Sequence, residues 1–229
     1  MRCLTVFLMS LSDKSFRSLL CMGYYPLQSH DRHSIVYSMP TPDPSDPFSD
    51  PDDIPDWDLR TLHSLLLDHP HLSLSRRLTL AHSLATTLLQ LHTAGWLHKN
   101  LSSSTLIFLA PRGSSPSYFL QTDPYVIGYE YGRSDTRDAA KAFTHQPDTE
   151  LEAELYRHPK ARGEGRETYQ KRFDLYTLAY IIVELVMWRS LVEVFEEYLT
   201  QGLREAIRDA QARSEVVELP ALGLSLIHI

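Results

Sequence analysis

Apolar positions recur along this chain with two different periods, and the changes of period mark its elements. Over Ser75 to Ala94, Leu78, Ala81, Ala85, Leu88 and Leu91 repeat at helical spacing, with Ser73 or Ser75 placed to cap the start and Gly95 to stop it. A second strong helix is predicted from Phe173 or Asp174, where Leu175, Leu178, Ile182, Leu185 and Val186 form a stripe expected to be buried. Leu59 to Leu67 predicts a short helix, and Leu191 to Ala212 a longer, more polar one. The β-prone runs Leu19 to Tyr25 and Ser34 to Ser38, separated by polar Gln28 to His33, predict two antiparallel strands. Further strands are predicted at Leu106 to Leu109 and near Tyr125 to Gly128, with a Gly/Ser/Pro-rich loop over Pro111 to Ser117 between them.

Composition narrows the picture. The 229 residues, 43% hydrophobic, suffice for one main core. A formal charge of -7 argues against a broad grip on nucleic acid or anionic lipid, which needs clustered Lys and Arg, and leaves proteins or small molecules as expected partners. Cys3 and Cys21 are too few for a disulfide framework, so a reducing, cytoplasmic setting is expected. The apolar stretch Cys3 to Met9 follows Arg2 in the manner of a signal peptide, but Asp13 and Lys14 cut it short and no small-residue cleavage site follows. No run is long enough to cross a bilayer.

Thr41 to Asp58 holds seven Asp among repeated prolines and is expected to be an exposed acidic hinge. It lacks the glycine and terminal Glu of a calcium loop. His69 and His71 have no third ligand at zinc spacing. Gly223 to Ile229 shows no cap or amphipathic continuation and is expected to be a non-native tail. No Gly-x-Ser-x-Gly elbow, Gly-x-Gly-x-x-Gly turn or Walker loop occurs, which sets aside hydrolase, dehydrogenase and P-loop readings.

One ordered set of segments carries more. Gly95 is followed by Trp96-Leu97-His98-Lys99-Asn100-Leu101-Ser102-Ser103-Ser104-Thr105 and then by the apolar Leu106-Ile107-Phe108. Downstream come Tyr125-Val126-Ile127-Gly128-Tyr129-Glu130, then Tyr156-Arg157-His158-Pro159-Lys160, and then Asp174-Leu175-Tyr176-Thr177-Leu178-Ala179. This order resembles the protein kinase catalytic loop H-R-D-L-x-x-x-N, the D-F-G strand, the A-P-E close of the activation segment and the start of the large central helix. The closest resemblance is to the kinase-like region of fungal proteins that carry a HeLo, or prion-inhibition and propagation, domain.

The resemblance, over about residues 17 to 190, implies an α+β fold: mainly the helical C-lobe of a kinase, truncated, with the last strands of the N-lobe. Residues 1–16 remain an unassigned N-terminal segment, residues 17–58 would be the N-lobe strands and hinge, and residues 59–222 the incomplete C-lobe. It places His98 at the loop His, Lys99 at the Arg, Asn100 at the catalytic Asp, Thr105 at the metal-binding Asn and Gly128 at the metal-binding Asp. Pro159 falls at the Pro of A-P-E, with Lys160 in place of its Glu, and Asp174 at the Asp that supports the loop backbone. Lys14 has no V-A-I-K-like strand around it.

These replacements bear on chemistry. An amide at Asn100 can hydrogen-bond a hydroxyl but takes up no proton near neutral pH, and general-base help is worth roughly 100- to 10,000-fold. Thr105 and Gly128 supply no charged metal ligand. The expectation is a catalytically inactive, kinase-like interaction or signalling module, with no cofactor. The alternative is a kinase that binds ATP and magnesium through an N-lobe outside this sequence and through unusual acids such as Asp123 or Glu130. His98 is expected to be a packed loop residue. Lys99 reads either as a solvated lysine or as an anion partner of a phosphorylated Ser134, Thr136, Thr144 or Thr149. Asp174 reads as a loop support, a helix N-cap, or both.

Overall fold

The computed structural model describes residues 2–11, 14–27, 32–40, 56–135, 155–161 and 166–212. The chain divides into two units, Met1–Ser190 and Leu191–Ile229. The first mixes helices with small antiparallel sheets, so the fold is α+β. Residues 41–55 of the acidic hinge, Thr136, Thr144 and Thr149, and the 223–229 tail lie outside the described residues.

The first unit opens with α1 (Arg2–Met9), whose Leu4 and Leu8 are buried and whose Phe7 stacks on Trp96 at 4.6 Å. The apolar N-terminal stretch is thus a helix packed on the strand that follows. That strand, β1 (Cys21–Leu27), pairs antiparallel with β2 (Arg32–Tyr37), in register from Leu27 opposite Arg32 to Cys21 opposite Tyr37 with an irregularity at Gly23. Both strands lie within two residues of the runs read from sequence.

β3 (Trp57–Thr61), β5 (Leu106–Pro111) and β6 (Tyr125–Val126) form a three-stranded antiparallel sheet with β5 in the centre. Leu106 to Ala110 are all buried, as expected for a strand covered on both faces. β3 corrects two expectations. It begins inside the stretch assigned to the hinge, and it takes Leu59 to Thr61 from the predicted helix, because Leu59 opposite Leu109 and Thr61 opposite Ile107 give that backbone ladder partners. The helix α2 (Leu62–Leu67) starts only where the Thr61 hydroxyl accepts the Ser64 N–H at 3.0 Å. The loop over Pro111 to Ser117 also holds structure, since α4 (Pro116–Phe119) begins with Pro at its first turn.

α3 (Leu74–Thr93) is capped by Ser73, whose hydroxyl accepts the Arg76 N–H at 3.3 Å, and Gly95 leaves it at φ +76°. It packs against α5 (Lys171–Met187). On both helices the observed buried face is turned from the predicted one. Leu80, Leu84, Leu88 and Leu91 are buried on α3 while Leu78 is 53% exposed. On α5, Phe173, Thr177, Ile181 and Glu184 are buried with Asp174, Leu178 and Leu185, whereas Leu175 and Val186 are 53% and 46% exposed. α5 is apolar almost all round, so hydrophobicity alone does not choose its face. Asp174 and Glu184 choose it, because each must meet hydrogen-bond donors inside the unit.

Between α3 and β5 runs the segment bearing the candidate site. It starts with β4 (Trp96–Leu97), which pairs with β7 (Arg133–Ser134), Leu97 opposite Arg133, and so brings the stretches around residues 98 and 130 together. The second unit contributes α6 (Leu191–Ala212) to the described residues, with the bounds read from sequence. On it Phe195, Tyr198 and Leu199 are exposed.

Candidate functional site: a supported loop packed against a glycine turn

The loop after β4 is held by one buried carboxylate. Asp174, fully buried, accepts the His98 N–H and His92 Nε2 on one oxygen, each at 3.0 Å. Its other oxygen accepts the Lys99 N–H at 2.9 Å and the Tyr169 hydroxyl at 2.8 Å. Burial alone would raise the Asp174 pKa, but the hydrogen bond from His92, the nearby His98 and the two loop amides outweigh it and hold the carboxyl below its ordinary value. The N-cap of α5 is Gln170, so Asp174 sits within the first turn and is not the cap. Its two bonds to backbone amides run to the loop at His98 and Lys99.

His98 is 1% exposed. Its Nε2 lies 3.1 Å from the Ile127 carbonyl, which can only accept, and this puts the proton on Nε2 and leaves Nδ1 to accept the Asn100 N–H at 3.3 Å. The ring packs on Tyr129 at 4.7 Å. Burial pushes its pKa down to about 4, against the pull of Asp174 and the Ile127 carbonyl. Both nitrogens are engaged and the ring is neutral at pH 7, so it is a packed loop histidine with no part free for proton transfer.

Asn100, Thr105 and Gly128 do come together. Thr105 closes a tight turn, Ser103–Thr105: its hydroxyl accepts the Ser102 N–H at 2.9 Å and donates to the Ser102 carbonyl at 3.0 Å. Its methyl faces Gly128, which has φ +88°. A Cβ added at Gly128 would lie 2.8 Å from Thr105 Cγ2, 3.2 Å from Thr105 Cβ and 3.4 Å from Asn100 Nδ2. The strand predicted to reach Gly128 ends at Val126, because the left-handed glycine turns the chain into the short turn Tyr129–Tyr131. The Asn100 amide donates to Glu130 Oε1 at 3.4 Å. A side chain at position 128 would thus have to displace the Thr105 methyl.

Asp123, the other acid considered from sequence, faces Arg17 at 3.2 Å and Arg76 at 3.6 Å. Among the described residues, no three of His, Cys, Asp or Glu gather in a metal-binding group.

Pro159 is exposed in the short turn Pro159–Ala161. It lies apart from these residues in sequence, but its segment is tied to the same loop through a network the sequence reading missed. Glu184, fully buried, accepts the Tyr156 hydroxyl at 2.5 Å, and Ser103 Oγ lies 2.7 Å from Tyr156 Oη and 3.4 Å from Glu184 Oε1. His158 stacks on Phe173 at 4.5 Å, and Lys160 pairs with Glu167 at 3.0 Å. A lone acid inside the apolar run Ile181-Ile182-Val183-Glu184-Leu185-Val186 was the available signal. His92 and Tyr169, the other two side chains on Asp174, carried none. Lys99 has φ +71°, and its ammonium, buried and without a hydrogen-bond partner among the described residues, lies 5.6 Å from the Tyr169 ring centroid. Burial, then Arg133, lower its pKa to about 8.

Compared with protein-family models and with curated protein sequences, the chain matches none.

Proposed function

We propose that this chain is a catalytically silent, kinase-like module that works through protein contacts in signalling, of the kind its resemblance to fungal HeLo-associated proteins implies. The observation that carries the reading is the contrast at one loop. Asp174 supports the backbone of His98 and Lys99 with full hydrogen bonding, while an added carbon at Gly128 would meet Thr105 Cγ2 at 2.8 Å. Phosphoryl transfer of the kinase type needs a base near the substrate hydroxyl and carboxylates for magnesium. Here the base position is an amide occupied with Glu130, and the Thr105 hydroxyl is consumed by its own turn.

On this reading ATP and magnesium are not bound, the partners are proteins, and the setting is the cytoplasm. The buried free thiol of Cys21 suits a reducing compartment. Among the described residues no helix is long and apolar enough to cross a membrane.

The test is phosphotransfer from ATP with magnesium to a generic Ser/Thr substrate, by the wild-type chain and by Asn100→Asp. Neither is expected to exceed the background, because the substitution restores only the base and sets a second carboxylate against Glu130. Turnover by either one would overturn the reading and favour an active kinase with unusual metal ligands.

A further inference from the structure

α6 carries an apolar face and a glycine that its own fold does not explain. Phe195, Tyr198 and Leu199 are exposed, Tyr198 by 73%. Gly202 stands in the middle of the helix, a position that disfavours glycine against alanine, and a Cβ added there would have nothing within 4 Å. A 22-residue helix in water draws most of its stability from burying such a face.

Spacing identifies what fits. Phe195, Leu199, Gly202 and Ala206 follow one another at the 3.5-residue repeat of a coiled-coil seam. This seam is complementary in size to itself when a second α6 runs antiparallel, about a twofold axis between Thr200 and Gln201. Phe195 then stands opposite Ala206, and Leu199 opposite Gly202, so each layer joins a large residue to a small one, as close packing requires. A parallel pair would set Phe195 on Phe195 and Gly202 on Gly202, crowding one layer and emptying another. Charge selects the same direction. Glu193, Glu196 and Glu197 lie in the first half of the helix and Arg204 and Arg208 in the second. An antiparallel pair brings the acids alongside the half that holds these bases, whereas a parallel pair aligns acids with acids.

We propose that α6 docks on a second copy of this chain as an antiparallel helix pair, with Leu199 of each copy over Gly202 of the other. The interface is isologous and closes at the dimer. One pair of helices is small for a specific interface, so association in roughly the micromolar range is expected. The surface includes none of the residues of the loop at 98–105, and it stands whether or not that loop is catalytically silent.

The experiment is sedimentation velocity of the full chain from about 1 to 100 μM, which should show a monomer–dimer equilibrium. Tyr198→Glu and Leu199→Glu alter exposed positions and should each weaken the dimer about tenfold or more, with circular dichroism unchanged. Gly202→Leu raises helix propensity, so it should keep the helix and still abolish the dimer by colliding with Leu199. Combining Gly202→Leu with Leu199→Ala exchanges large and small within one layer and should restore association. A chain that stays monomeric throughout would overturn the proposal, as would a dimer that both glutamate variants leave intact or that Gly202→Leu strengthens. A combined variant that recovers nothing would overturn the register and the proposal with it. A monomer that instead co-sediments with phosphatidylcholine–phosphatidylserine vesicles, and loses them on Tyr198→Glu, would assign the face to a lipid surface and overturn the second copy.

Discussion

The two sides of the loop at residues 98–105 have been treated differently. On the Asp174 side a buried charge meets four donors and nothing is left over. On the Gly128 side the chain offers no side chain of its own, and an added Cβ would meet the Thr105 methyl at 2.8 Å. A buried carboxylate that loses its partners is costly, whereas a glycine leaves no polar group to satisfy. The comparison teaches that one loop can be fixed in two ways, by a fully satisfied buried charge on one side and by close packing against a glycine on the other.

The largest expected effect lies on the support side. Asp174→Ala would leave the His98 and Lys99 amides, His92 and Tyr169 without their acceptor. It should lower stability by about 3–5 kcal/mol in urea unfolding. A loss under about 1 kcal/mol would mean the carboxylate is not the anchor.

Next comes pH. His98 has a folded pKa of about 4 against an ordinary value of 6.5, so the unfolded chain takes up the proton first as pH falls. Stability from this residue is therefore complete above pH 6.5 and declines down to about pH 4, by about 3 kcal/mol in all. Asp174, depressed in the folded state, adds a further loss at still lower pH. Urea midpoints at pH 7 and pH 5 should differ, and His98→Gln should flatten the difference between them. An unchanged slope in that variant would assign the effect elsewhere.

On the closed side, Gly128→Ala should cost about 1–3 kcal/mol, from the left-handed backbone together with the contact to Thr105. Thr105→Ser removes the methyl and keeps the hydroxyl, so the double variant should recover part of the loss in a thermodynamic cycle. Strict additivity would show that the methyl does not fill the space. The smallest effect is expected at Lys99, whose ammonium is buried with no acceptor among the described residues: Lys99→Met should be neutral or stabilising by up to about 1 kcal/mol. A marked loss would mean that its contact with Tyr169 outweighs desolvation.

Local signals in the sequence recovered α3, α5 and α6, because long periodic runs are set by nearby residues, and α3 adds a Ser cap and a glycine stop. That Asn100, Thr105 and Gly128 stand near one another was implied only by the resemblance, through the order of its motifs. What they could not reach was set at long range. Leu59 to Thr61 became strand only because β5 supplies the ladder. The face of α5 was chosen by Asp174 and Glu184, whose donors come from His92, His98, Lys99 and Tyr156, far away in sequence. The closure at Gly128 depends on a methyl–backbone approach that no spacing rule encodes.

The most direct test of the central claim is a thermal unfolding scan of the full chain with and without millimolar ATP and magnesium, since a ligand that binds only the folded state raises its stability. The silent-module account expects one cooperative transition that the nucleotide leaves unmoved. A clear, magnesium-dependent rise in Tm would contradict it.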